Sequence, residues 1–130
     1  MKPAVFKKEI TVAASAIDLM KHVNNVQYLQ WVQDVAEAHW KQAATAEQLE
    51  HFAWVALEHH IKYEAPAFEN EILILETWVE KFESVKSIRR TKIYRKEDSK
   101  TMVNATTHWC LLTMPKARPA RVTTEIIERF

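Results

Sequence analysis

The fold of this chain is decided by residues 18–28, which read DLMKHVNNVQY. This segment combines a carboxylate (Asp18) and an imidazole (His22) with two side-chain amides (Asn24 and Asn25). It stands immediately before a long amphipathic pattern. The start of an α-helix exposes unpaired backbone N–H groups and a partial positive charge, which together stabilise an anion. Because an acid or base beside an anion site is the minimum equipment for acyl transfer, the segment predicts a catalytic loop.

A long helix is predicted over residues 25–43. Apolar residues recur there at spacings of three and four, from Tyr28 to Trp40, and form one apolar stripe. Asn24 or Asn25 is the predicted N-cap, because a side-chain amide oxygen accepts from the first free N–H groups. A helix of this length would run about 28 Å, enough to cross a small sheet.

The remaining pattern changes to a period of two, which is typical of strands. The predicted strands are residues 5–13, 54–64, 71–82, 85–96 and 101–113. A short helix is predicted from Thr45, where Gln48 completes a capping box. In the second strand one face is predicted to carry Val55, Leu57, Ile61 and Tyr63. Because a single long helix must pack on one face of the sheet, the order predicts an α+β fold with about five antiparallel strands.

Composition limits the class of protein. The chain has 130 residues, which predicts a single domain over residues 1–130. Eighteen basic residues face seventeen acidic ones, which argues against a general nucleic-acid partner. The single cysteine, Cys110, cannot form an internal disulfide, and no metal site or cofactor is predicted. With no signal-peptide pattern and no apolar run of about 20 residues, we expect no membrane span and a cytoplasmic protein.

Glycine is absent from the sequence. Its absence excludes glycine-rich phosphate loops and dinucleotide-binding fingerprints. Left-handed turn positions must then fall on other residues, and Asn and Asp tolerate them best. We therefore expect left-handed turns at Asn25, Asn70 and Asp98.

The element order, with HVNNVQY at residues 22–28 leading into the helix, resembles the hotdog-fold thioesterases over nearly the whole chain. The likeness is strongest to the acyl-ACP thioesterases and the 4-hydroxybenzoyl-CoA thioesterase-like group, which share an Asp followed by His-Val-Asn-Asn-x-x-Tyr. Two positions depart from the pattern: Met20, where the acyl-ACP group often has Asn, and Lys21, where many relatives have Gly.

This resemblance implies an activity and an assembly. It implies hydrolysis of an acyl-CoA or acyl-ACP thioester to the free acid and thiol, as part of fatty acid metabolism. It also implies a sheet that is extended by dimerisation, with a homodimer or a homotetramer built as a dimer of dimers. An exposed sheet edge favours the same partner, because a second copy would cover it.

The resemblance also suggests catalytic roles. Asp18 is expected to act as nucleophile or general base, and the sequence leaves both routes open. His22 is expected to position the substrate or Asp18. The backbone N–H of Asn25 is the expected oxyanion donor. Glu58, on the second strand, stands where the acyl-ACP group has a catalytic acid.

Four further residues are candidates for substrate binding. Asn24 and Tyr28 belong to the shared motif. Arg89 and Arg90 point to opposite faces of their strand, and one of them is a candidate for a coenzyme A phosphate or an acidic carrier protein. An apolar acyl chain would lie between the helix and the sheet.

Three alternatives remain open on the sequence. The first is a non-catalytic hotdog protein that binds acyl-CoA, which Met20 favours. The second is a hotdog hydratase or dehydratase, and the third is an interaction domain that uses its sheet edge. The acid before the helix counts against the second, and the clustered Asp18 and His22 count against the third.

Overall fold

The structure is a computed structural model that describes residues 4–130. Its strands are β1 (Phe6–Thr11), β2 (Phe52–Tyr63), β3 (Ile72–Glu83), β4 (Lys86–Arg95), β5 (Thr101–Thr113) and β6 (Arg118–Pro119). Its helices are α1 (Asn25–Ala43), α2 (Ala46–His51) and α3 (Thr124–Ile127), and a 3₁₀ turn covers Ala14–Ala16. The predicted α1 has the same bounds, and each predicted strand lies within two residues of an observed one at either end.

The strands form one antiparallel sheet in the order β1-β3-β4-β5-β2, and β6 pairs with the end of β5. The long helix α1 packs on one face of this sheet. Strands β1 and β2 therefore form the two edges. This arrangement confirms the predicted α+β fold of one long helix on an antiparallel sheet.

The helix ends follow from local side-chain chemistry. Asn24 caps α1, because its Oδ1 accepts a hydrogen bond of 2.8 Å from the N–H of Val26. The capping box predicted for α2 is present, with Thr45 and Gln48 each accepting from the other's backbone N–H. Both caps satisfy N–H groups that a helix start otherwise leaves without a partner.

The main core lies between α1 and the middle of the sheet. Leu75, Ile93 and Val103 are register neighbours on β3, β4 and β5, and all three are fully buried. Val32 and Val35 of α1 pack in the same cluster. Burying each such side chain contributes about 1.5–3 kcal/mol, so this contact supplies much of the free energy that holds α1 on the sheet.

A β-bulge in β2 corrects the predicted face of that strand. The register with β5 shifts between Ala56 and Glu58, so Leu57 is an extra residue without a partner of its own. As a result Val55 lies on the opposite face from Ile61 and Tyr63, and the prediction that they share one face is wrong. The period of two in the residue pattern continues through the bulge, but the side chains of the strand change faces there.

The left-handed positions differ in part from those predicted. Positive φ angles occur at Lys21, Asn70, Ser84, Ser99 and Ala117. Asn70 is thus confirmed. Asn25 instead begins α1, and Ser99 takes the role predicted for Asp98. In a chain without glycine, hydrogen bonding around each turn decides which residue adopts the left-handed backbone.

No helix within residues 4–130 is both long enough and apolar enough to cross a membrane.

Candidate active site

The loop before α1 is a tight hairpin that holds Asp18 opposite His22. Ile17 and Val23 form an antiparallel bridge, and the N–H of Asp18 donates to the carbonyl of His22 at 2.9 Å. The carboxylate Oδ1 of Asp18 accepts from the N–H of Met20 at 2.8 Å and from that of His22 at 3.4 Å. The other oxygen, Oδ2, accepts no hydrogen bond from residues 4–130. One carboxylate oxygen therefore fixes the turn, and the other is left for chemistry.

This turn depends on a left-handed residue. Lys21 has φ 64°, the region that glycine adopts most readily. The N–H of Lys21 donates to the carbonyl of Asp18 at 3.0 Å and closes the turn. The position where many hotdog relatives carry glycine is thus left-handed here too, with a Cβ atom in place. A non-glycine residue in this region costs about 1–2 kcal/mol, which the surrounding hydrogen bonds offset.

The start of α1 presents a free backbone N–H. Asn25 is the first helical residue, and its N–H donates to no group in the described part of the chain. The side chain of Asn24 is occupied as the cap. The carbonyl of Asn25 accepts from the hydroxyl of Tyr63 at 3.3 Å, which ties the helix start to the end of β2. The N–H of Asn25, for which an oxyanion role is predicted, therefore has no acceptor within residues 4–130.

Two aromatic contacts anchor this loop to the segment between β2 and β3. The hydroxyl of Tyr28, a buried side chain, accepts from the N–H of Ala67 at 3.2 Å, and burial raises the pKa of Tyr28. The ring of His22 meets that of Phe68 edge to face, with centroids 5.3 Å apart. In addition, the N–H of Val23 donates to the carbonyl of Ala67. Tyr28 thus lies in the core, and His22 meets the Asp18 carboxylate through its backbone N–H.

A cavity of about 900 Å³ lies between the second half of α1 and the sheet. Its walls are largely aromatic, and they include Trp40, Trp54, Trp109, Phe52, Phe82 and Phe130. Exposed residues, among them Glu37 and Val55, form its mouth at the β2 edge, and buried residues form its floor. Gln33, its lining residue nearest the start of α1, is eight residues beyond Asn25, or about 12 Å along the helix. Within one chain the cavity and the Asp18 loop are therefore separate.

Arg89 lies in the floor of this cavity and is 6% exposed. Its Nη1 donates to Nδ1 of His39 at 2.9 Å and to Oγ1 of Thr77 at 3.2 Å. Burial lowers the pKa of Arg89 to about 10, so it is still charged at neutral pH. Burial and the nearby Arg89 charge lower the pKa of His39 to about 4, so its imidazole is neutral.

Arg90 has the opposite environment. It is exposed on the other face of β4, where its Nε donates to Oε2 of Glu80 at 3.1 Å and its Nη1 to Oγ1 of Thr106 at 2.8 Å. Its charge is paired at the surface, far from the floor of the cavity.

The structure does not bring Glu58 to the face that α1 covers. Glu58 is exposed and pairs with His108 on the outer face of the sheet. The next residue, His59, faces α1: its Nε2 accepts from Nε2 of Gln33 at 3.2 Å, and its Nδ1 donates to Oγ1 of Thr107 at 2.9 Å. Burial lowers the pKa of His59.

Sequence reasoning overlooked His59, although a period of two places it on the same face as Ile61 and Tyr63, because the bulge at Leu57 changes only the faces of the residues before it. No group of three or more metal-binding side chains occurs within residues 4–130.

Comparison with known proteins identifies the family of the chain. A profile of the family described as the acyl-ACP thioesterase N-terminal domain matches residues 3–130. The chain belongs to this thioesterase family. It is thus a thioester hydrolase by descent, in accord with the resemblance drawn from the Asp18 motif. Among curated proteins, none matches the sequence.

Solved structures share the fold of this thioesterase domain. The 1,4-dihydroxy-2-naphthoyl-CoA thioesterase Slr0204 from Synechocystis has a TM-score of 0.83 and 18% identity, covering 97% of this chain and 95% of that one. A 4-hydroxybenzoyl CoA thioesterase mutant complexed with 4-hydroxybenzoyl CoA has a TM-score of 0.87 and 11% identity, and the match covers 96% of this chain and 97% of that one. The 12:0-ACP thioesterase from Umbellularia californica has a TM-score of 0.80 and 13% identity, covering 96% of this chain but 49% of that one. These similarities confirm the hotdog fold.

Proposed function

We propose that this thioesterase domain hydrolyses an acyl-CoA or acyl-ACP thioester with Asp18 as the reacting carboxylate. The observation that carries the proposal is the state of that carboxylate: Oδ1 is held by two backbone N–H groups and Oδ2 is free. It stands in the hairpin that leads into α1, whose first residue, Asn25, has a free N–H. A preorganised donor of this kind is worth about 3 kcal/mol of transition-state stabilisation.

The reaction can follow two routes from this geometry. In the first, the Asp18 carboxylate attacks the thioester carbon, the C–S bond breaks and water hydrolyses the resulting mixed anhydride. In the second, Asp18 takes a proton from a water molecule as that water attacks, and the thiolate then leaves and is protonated. In both, the carbonyl oxygen becomes negative and binds the N–H of Asn25. His22 positions Asp18 through its backbone, and Glu58 has no role in this proposal because it lies on the outer face.

A second copy of the chain would join the Asp18 loop to the cavity. Three contacts show that α1 runs antiparallel to β2: Asn25 with Tyr63, Gln33 with His59, and Trp40 with Trp54. Strand β2 is an edge strand, so two copies can pair antiparallel through it. Such pairing places the helix start of one copy beside residues 52–55 of the other, where the cavity opens.

The exposed apolar residues agree with this arrangement. Val55 and Leu57 on β2 are 43% and 52% exposed, and Val26 at the start of α1 is 72% exposed. A second β2 strand would cover them and supply the missing backbone hydrogen bonds of the edge. The proposed site is therefore composite: the Asp18 loop comes from one subunit and the acyl cavity from the other.

The experiment is to compare Asp18→Asn with wild type by thiol release from a panel of acyl-CoA and acyl-ACP substrates. The Asn side chain keeps an Oδ1 acceptor for Met20 and His22, so the hairpin is preserved, but it loses the charge. We expect turnover to fall by orders of magnitude while the melting temperature stays close to wild type. Asp34→Asn is the matched control, since Asp34 on α1 only accepts from Gln30. Full activity of Asp18→Asn would overturn the mechanism, and tight binding without thiol release in wild type would indicate a non-catalytic binder.

A further inference from the structure

Arg89 is a buried cation to which the described part of the chain offers no carboxylate. It lies on the face of β4 that α1 covers and is 6% exposed. Seven ion pairs form among residues 4–130, and none of them includes Arg89. Buried charges are costly and are normally paired. The position of Arg89 is therefore explained best by an anion that arrives from outside the described residues.

The side chains that Arg89 contacts are neutral: His39 and Thr77 by hydrogen bonds, and the ring of Phe130, whose centroid lies 5.9 Å from the guanidinium carbon. Arginine only donates, so Nδ1 of His39 and Oγ1 of Thr77 must act as acceptors. Both of these bonds come from the same nitrogen, Nη1. A neutral imidazole and a hydroxyl satisfy hydrogen bonds, and the face of Phe130 attracts the cation weakly, but none of the three supplies a negative charge.

The free donors of Arg89 face the cavity. Its Nε and Nη2 groups have no hydrogen-bond partner within residues 4–130. In that part of the chain, only one side-chain nitrogen or oxygen is both fully enclosed and without a partner, and it is Nε1 of Trp109. The Arg89 donors therefore keep some open surface, and Arg89 and Trp109 line the same cavity. Trp109 is the register partner of Ser87, two residues from Arg89 along β4. Of these groups only the Arg89 donors are open to the cavity, because Nε1 of Trp109 is fully enclosed.

We propose that the floor of the cavity binds a carboxylate at the far end of the acyl group, so that the substrate is the thioester of a dicarboxylic or carboxyaryl acid. This inference rests on the proposed hydrolysis, because it assigns the acyl group on which that reaction acts. The Nε and Nη2 edge of a guanidinium matches the two oxygens of a carboxylate. The aromatic walls, which include the ring of Trp109, enclose the apolar part of the acyl group.

A purely structural role for Arg89 makes a different prediction. In that case Arg89 only links α1 to β3 through His39 and Thr77, and the cavity prefers an uncharged acyl chain. The two roles are separated by ligands that differ only at the far end of the chain.

Binding is measured first, with thioether analogues of coenzyme A that cannot be hydrolysed. One analogue carries an octyl chain and the other a 7-carboxyheptyl chain, and calorimetry or tryptophan fluorescence reports their affinities for the wild-type protein. We expect the carboxylated analogue to bind about tenfold or more tightly, as for a hydrogen-bonded charged group. Equal affinity, or tighter binding of the octyl analogue, would overturn the proposal.

Variants then test whether Arg89 causes this preference. Arg89→Met removes the charge at similar length and should abolish the preference. Lys92→Met is the matched control, since it removes a positive charge from the same strand away from the cavity, and it should keep the preference. Should Arg89→Met fail to fold, Arg89→Gln keeps an amide donor but loses the charge and should weaken the carboxylated analogue severalfold more than the octyl one. A preference unchanged in the folded variant would overturn the proposal.

Turnover separates this inference from the proposed hydrolysis. Thiol release is compared for octanoyl-CoA and 7-carboxyheptanoyl-CoA, with kcat and KM determined for each. Equal release from both substrates would support hydrolysis and refute the carboxylate site. Selective binding of the carboxylated analogue without thiol release would support the carboxylate site and refute hydrolysis.

Discussion

Nη1 of Arg89 lies 2.9 Å from Nδ1 of His39, and the two side chains join β4 to α1 in a buried contact without a carboxylate. Nδ1 has to accept this hydrogen bond, so the imidazole is neutral in the folded protein. Phe6 stacks on His39, and Phe130 meets it edge to face. Burial of the imidazole among these rings and the charge of Arg89 both oppose protonation of this histidine.

This contact predicts a loss of stability in mild acid. The folded protein holds the pKa of His39 at about 4, against 6.5 for an ordinary histidine. Between these values the unfolded chain binds a proton that the folded protein does not bind, so stability falls as the pH falls. The contribution of His39 is intact above pH 6.5, and up to about 3 kcal/mol of it is lost towards pH 4.

Urea unfolding between pH 4.5 and pH 8 measures this dependence. His39→Asn is the control, since its Oδ1 still accepts from Arg89 but does not titrate in this range. We expect a flatter curve for this variant than for wild type. Identical slopes in the two proteins would contradict a neutral buried His39.

The left-handed backbone of Lys21 predicts an unusual preference for glycine. With φ 64°, this position penalises any Cβ atom, so Lys21→Gly should be more stable than Lys21→Ala by about 1 kcal/mol. At an ordinary exposed position the order would be reversed or neutral. Chemical denaturation of both variants gives the comparison, and a more stable alanine variant would show that the turn is not left-handed in solution.

Proline at residue 25 tests the oxyanion donor without changing the helix. Asn25 is the first residue of α1, where proline is well tolerated, and Asn24 already has the extended backbone (ψ 136°) that precedes proline. Asn25→Pro removes only the N–H group that the proposal uses. We expect kcat about 10²- to 10³-fold lower than in Asn25→Ala, which keeps that N–H, with similar melting temperatures for the two variants. Equal kcat values would remove Asn25 from the mechanism.

A charge on the free edge of β2 tests the composite site. Leu57, the bulged residue, is 52% exposed in the single chain and would be covered by a second β2 strand. Leu57→Lys should shift the protein from dimer to monomer in sedimentation velocity and reduce thiol release in parallel. Ile72→Lys is the control, since Ile72 is 39% exposed and its strand β3 is separated from β2 by β4 and β5. A fully active monomer would show that one chain contains the whole site.

Local patterns in the sequence predicted most of the secondary structure. The apolar stripe of α1 and the amide at Asn24 gave its bounds, and Thr45 with Gln48 gave the start of α2. Helix caps and hydrophobic periodicity act over a few residues, so they are readable without the fold. The positions of the left-handed turns were predicted only in part, because a sequence without glycine does not indicate which residue adopts a positive φ.

Such patterns did not predict which face of the sheet α1 would cover. Alternation predicted opposite faces for Arg89 and Arg90, but it did not indicate which of them α1 would cover. The bulge at Leu57 moved Val55 to the face opposite Ile61, and nothing in the residue types announces it.

The sequence by itself determined the α+β fold, the bounds of the long helix and the place of the Asp18 loop at its start, because these depend on residues close together in the chain. Only the tertiary structure decided that Arg89 is buried beside an aromatic cavity and that this cavity lies well beyond Asn25 along α1. Those features depend on the gap between a helix and strands far apart in sequence, where the packing of many side chains sets the distance.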